Sequence, residues 1–195
     1  GGGLMSFMLL GILNSQAAGG GGVAALDHLS TQILGSSSSS VSFTGLNALT
    51  DYKHLSMVVT ARGAENLATN WKMLIRLNGN TGNNYDSITF GNNNNGVGTS
   101  LNFGTSAIDL GRHLPQNVEA NLYGAIVMNF NDFLDTSKYI SVQTVGGSHS
   151  SAYKAAAIGH GNLQSTAALN TIELRTDSGW GAFVAGSRFS LYGRK

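Results

Sequence analysis

The most restrictive feature of this chain is a two-residue hydrophobic period that keeps restarting. From Tyr52 to Arg62, Leu55, Met57, Val59 and Ala61 fall on one side of the alternation and His54, Ser56 and Thr60 on the other, with Val58 the single exception. Successive side chains of a β-strand point to opposite faces, so this pattern predicts a half-buried strand. Trp71, Met73, Ile75 and Leu77 repeat it against Lys72, Arg76 and Asn78, and the run stops at Asn78-Gly79-Asn80-Thr81-Gly82-Asn83. Asn-Gly tolerates positive φ at both positions, which predicts a hairpin into the next strand, Tyr85 to Phe90. Further strands are expected at Thr99–Phe103, Ala107–Leu110, Val118–Phe130 with a bulge near Gly124, Lys138–Val145, Ala152–Ile158, Thr171–Thr176, Trp180–Val184 and Arg188–Tyr192, with pairing broken at Pro115. Roughly ten short strands at spacings near 8–12 residues define an all-β chain, an antiparallel β-sandwich of jelly-roll type. No period of about 20–50 residues and no heptads are present, which excludes a solenoid, a propeller and a coiled-coil shaft.

Composition limits the chemistry. The chain has 195 residues, the length of one domain, with 42% hydrophobic and 11% charged residues, so it falls outside the disordered class. Eleven Lys and Arg stand against ten Asp and Glu. That balance leaves too weak a field to hold nucleic acid or anionic lipid by charge. With no cysteine there is no disulfide, no thiolate metal site and no thiol nucleophile.

Residues 1–40 differ from the body at 41–195. Between glycine tracts lies an apolar run whose anchoring residues are Leu4, Met5, Phe7, Met8, Leu9, Leu10, Ile12 and Leu13. About ten apolar residues are half of what a bilayer span requires. A secretory signal fits on length, but no Lys or Arg precedes the run. The preferred reading is an extended arm that packs on a partner or on a symmetry mate, because an apolar strip does not remain bare in water. Leu26, Leu29, Ile33 and Leu34 predict one short amphipathic helix stopped at Gly35, and Ser36–Ser40 a connector.

Candidate reactive groups are few. His28, His54, His113, His149 and His160 show no paired ligand spacing, so no metal and no cofactor is expected. Asp132 and Asp135 are close in sequence but read as a turn rather than an acid/base pair. The loop Asn78–Asp86 lacks the acidic alternation of a calcium loop, and no nucleophile elbow occurs, so no catalytic residue is assigned and no enzyme activity is expected. Trp71 reads as a core residue. Trp180, between Gly179 and Gly181, is placed for display to a glycan, where an aromatic face can stack on sugar C–H groups.

Three segments carry a resemblance: Tyr52-Lys53-His54-Leu55-Ser56-Met57, then Ile75 to Tyr85 with the pattern R-x-N-G-x-x-G-x-N-Y, and the ending Ala185-Gly186-Ser187-Arg188-Phe189-Ser190-Leu191-Tyr192-Gly193. Together they resemble a family of structural proteins from tailed bacteriophages of aquatic bacteria. The resemblance implies a virion location, a homo-oligomer, specifically a homotrimer, and other capsid or tail proteins as partners, with the apolar leader as anchor. It implies a capsid decoration or a tail or baseplate fibre component. A glycan-binding receptor module of a tail fibre is the alternative. Neither reading includes nucleic acid or a membrane span.

Overall fold

The computed structural model describes residues 26–64, 71–93, 96–114, 121–149, 154–177 and 181–195. Alternation becomes strand wherever a buried face is available to it. The order is β1 (Asp27–Ile33), β2 (Ser40–Phe43), a single 3-10 turn (Leu46–Ala48), β3 (His54–Ala61), β4 (Trp71–Leu77), β5 (Tyr85–Asn93), β6 (Gly96–Thr105), β7 (Ile108–Leu114), β8 (Gly124–Phe130), β9 (Ile140–His149), β10 (Lys154–Leu163), β11 (Ile172–Thr176) and β12 (Arg188–Arg194).

Two antiparallel sheets form. One has eight strands in the order β1-β12-β3-β8-β9-β10-β5-β6, the other four in the order β2-β11-β4-β7. The pairs β1·β12, β2·β11, β3·β8 and β4·β7 nest inside one another along the chain. That nesting is the jelly roll, a β-sandwich rolled from one long antiparallel ribbon. Two further hairpins, β5–β6 and β9–β10, interrupt the roll in sequence and lie side by side in space, extending the larger sheet by four strands past β8.

Between the sheets, Leu55, Met57 and Val59 of β3, Ile126, Met128 and Phe130 of β8, and Phe189 and Leu191 of β12 meet Met73, Ile75 and Leu77 of β4 and Ile172 and Leu174 of β11. Phe183 and Phe189 pack edge to face at 5.1 Å. Over the extension, Ile108 of β7 sits where Gly161 of β10 has no side chain, and a β-carbon there would collide with its Cγ2.

The structure corrects several expectations. The short helix expected over Val23–Leu34 is β1, paired from Asp27↔Gly193 to Ile33↔Arg188. The helix-like spacing arises at a bulge between His28 and Ser30, where Leu29 slips the alternation by one residue and packs against the core. Sheet pairing with β12 outweighs the weak helical preference of so short a segment. Both sheets therefore take in residues before position 41: β1 joins the larger one, and from the serine tract Ser40 opens β2 in the smaller one while Ser38 forms an isolated bridge to Phe183.

The expected hairpin of Trp71–Leu77 with Tyr85–Phe90 is also replaced. The turn does form, with Asn78 and Gly79 at φ 54° and 64° and Asn80 N donating to Leu77 O at 3.0 Å. The chain then crosses to the other sheet, so β4 and β5 never pair. Gly124 begins β8 in regular register opposite Ala61, without a bulge. Around Phe183 there are isolated bridges to Ser38 and Gly63 rather than a strand.

Candidate functional site

The outward face of the larger sheet carries the most distinctive surface of the molecule. Val58 of β3 lies opposite Val127 of β8, Val127 opposite Val145 of β9, Val145 opposite Ile158 of β10, and Ile158 opposite Phe90 of β5. Five strands thus contribute one apolar residue each to a single transverse row, spanning about 19 Å at the usual strand spacing. Val145, Ile158 and Phe90 remain 52%, 57% and 52% exposed. Ile88 of β5 and Leu101 of β6 face each other in the adjoining row and widen the strip at its β6 end.

The flanks shape the row into a ridge. On one side lie Thr60, Ala125, Gly147 and Ala156 in mutual register, a low row of small residues. On the other lie Ser56, Asn129, Gln143 and His160, and Ser56 Oγ donates to Asn129 Oδ1 at 2.6 Å. Neither row contains Asp, Glu, Lys or Arg. Seven of the ten large hydrophobics exposed among the described residues lie on β5, β6, β9 and β10, the four strands added to the roll. An uncharged apolar strip of this extent on a sheet face is the mark of an interaction surface. The chemistry it offers is burial.

A second cluster, of titratable groups, lies where β3 begins and β8 ends. In the turn between β8 and β9, Lys138 Nζ reaches Asp132 Oδ2 at 2.7 Å and Asp135 Oδ2 at 3.2 Å. Asp135 Oδ1 also accepts from Ser137 N at 2.8 Å and Ser137 Oγ at 2.7 Å. The Ser137 hydrogen bonds, with Lys138, hold the Asp135 carboxyl at a pKa of about 2. The hydrogen bond from Lys138 likewise lowers that of Asp132, and the two carboxylates raise that of Lys138. His54 Nδ1 accepts from Asp132 N at 3.2 Å, which requires a neutral ring. Desolvation and then Arg194 lower its pKa. Thr50, Asp51, Tyr52, Lys53, Leu134 and Lys195 complete a shallow cleft with the two aspartates. Asp132 is committed to the Lys138 clasp and Asp135 to that clasp and to its own turn, in the turn expected at Asp132 and Asp135.

The remaining sequence candidates are dispersed. His28 lies on β1 against the Tyr192 ring, His113 on β7, His149 on β9 and His160 on β10. No group of three or more metal-ligating side chains occurs among the described residues. Asn78 uses its side chain structurally: Oδ1 accepts from Asn170 N and Thr171 N, and Nδ2 donates to Ala168 O. Trp71 opens β4. The leader residues Leu4, Met5, Phe7, Met8, Leu9, Leu10, Ile12 and Leu13, and also Trp180, lie outside the described residues. No helix among the described residues is long and apolar enough to cross a membrane.

The ridge does not follow from local alternation, because register across five strands assembles it. Its signal was faint but present: Val58 breaks the alternation of β3, and Val145 is out of phase with Ile140 and Val142. No family model matches the chain, and no curated protein matches it.

Proposed function

We propose that this chain is a non-enzymatic structural protein of a bacteriophage particle, a capsid decoration or a tail or baseplate component displayed on the virion. In this reading the leader Leu4–Leu13 anchors the chain to the particle, and the ridge Val58–Val127–Val145–Ile158–Phe90 seats the body against a neighbouring virion subunit. The observation that carries it is the ridge: one apolar residue from each of five adjacent strands, in register, on the solvent side of a sheet. Covering each such side chain contributes on the order of 1 kcal/mol when it starts half exposed. A row of five therefore supports a durable subunit contact without any reactive group. The resemblance of the three quoted segments to tailed-phage structural proteins supports the virion setting.

The test is the double substitution Val145→Lys and Ile158→Lys. Both residues point into solvent, so the fold should persist by circular dichroism. Occupancy of the protein in purified particles should fall at least tenfold. Unchanged occupancy would overturn the role assigned to the ridge.

A further inference from the structure

Each sheet ends in strands whose outer N–H and C=O groups meet no partner strand among the described residues, and three of the four edges are defended. β2 is only four residues long, and Gln32 Nε2 donates to Ser42 O at 2.7 Å along its rim. β1 carries a bulge and begins with Asp27. β7 pairs with β4 through two register shifts and includes Asp109 and Arg112. Short length, bulges and charge are the usual devices that stop a sheet from growing.

β6 has none of them through most of its length. It runs ten residues, Gly96–Thr105, without a charged residue or a proline. Its register against β5 is regular from Asn93↔Gly96 to Ser87↔Asn102 and shifts only beyond. Its outward side chains Val97, Leu101 and Phe103 are 65%, 58% and 72% exposed. Such a strand is a template for a further strand.

We propose that β6 pairs antiparallel with β6 of a second copy of this chain across a two-fold axis near Thr99, joining two eight-stranded sheets into one. The strand is complementary to itself. Pairing about Thr99 sets Val97 opposite the second copy's Leu101 on the ridge face, in both senses, with Thr99 opposite Thr99. Gly96, Gly98, Ser100 and Asn102 meet on the inner face, where small or flexible residues leave room. Both cross-strand combinations, aliphatic with aliphatic and Thr with Thr, stabilise antiparallel pairs. No like charges meet, because β6 has none. Odd residues face odd residues, so Val97, Leu101 and the ridge stay on one side of the enlarged sheet. A two-fold contact of this kind is isologous and closed. The pairing does not depend on the virion reading. A single strand edge is a small interface, so it belongs to the transient class, with association on the order of micromolar.

The experiment is sedimentation velocity on the full chain over a wide concentration range, with three double variants. Wild type should double its mass reversibly as concentration rises. Val97→Lys with Leu101→Lys sets lysines opposite lysines and should need at least tenfold more protein to associate. Val97→Glu with Leu101→Glu should fail equally alone, yet mixing the two should produce a 1:1 species. Val97→Glu with Leu101→Lys pairs opposite charges across the axis and should restore doubling. Both substituted positions are exposed, and circular dichroism checks the fold. A mass that is constant with concentration, or a doubling indifferent to these charges, overturns the proposal.

Discussion

Tyr85 ends the Asn/Gly segment with its ring buried and its hydroxyl engaged three ways. Leu77 N donates to Oη at 3.0 Å, and Leu77 O and Asn80 O lie at 3.1 and 3.0 Å as acceptors. Burial raises the pKa of the phenol, which keeps it a donor. One side chain thereby pins the end of β4 to the start of β5 although the two strands sit in different sheets. Replacing Tyr85 with Phe strands the Leu77 amide in an apolar interior, at about 1–3 kcal/mol. For a chain of this size we expect Tm to fall by roughly 3–10 °C in calorimetry, and an unchanged Tm would count against the clasp. The family-like pattern from Arg76 to Tyr85 is thus legible as structure: Arg76 Nε donates to Ser106 O, Asn78 ties the 168–171 segment, and Tyr85 locks the corner. The motif residues were visible in the sequence. That they form a corner between sheets rather than a hairpin was not, because the crossing depends on partners some ninety residues away.

Among the elements, the turn from β8 to β9 responds to pH in a definite direction. His54 has a lowered pKa, so its proton is bound less readily in the folded chain, and stability declines as pH falls below about 6.5. Asp132 and Asp135 also have lowered pKa values, so their contribution is complete above the ordinary value of 3.8 and is lost below it, that of Asp135 as pH falls toward about 2. Amide exchange at Ser137, whose N–H is held by Asp135, should accelerate through that acid window beyond its intrinsic pH dependence. Asp135→Asn should remove most of the acceleration; a variant with the same profile as wild type would refute the assignment. The strands show how far local pattern reaches. β3, β11 and β12 lie within a residue or two of their expected bounds because their alternation is strong and one face is buried. β1 escapes that rule because a single bulge at Leu29 converts a period of two into spacings that mimic a helix.

For the molecule as a whole, the proposed reading assigns separate tasks to the body, the four-strand extension and the leader. We expect deletion of residues 1–22 to leave a folded body, since β1 starts at Asp27 and the core among the described residues is built from Leu29 onward. That body should be lost from particles; incorporation at normal copy number would contradict anchoring by the leader. Fold class was readable from the chain alone, because strand alternation is a short-range property and the buried residues Leu55, Met57, Val59 and Ala61 announce one face without reference to any other strand. Which apolar residues line up across strands is different. Val58, Val127, Val145, Ile158 and Phe90 are scattered over about a hundred positions, and only register brings them into one row. Register is set by long-range pairing and by which face the opposing sheet covers, so the ridge and the undefended β6 edge belong to the tertiary structure, whereas the strands that bear them belong to the sequence.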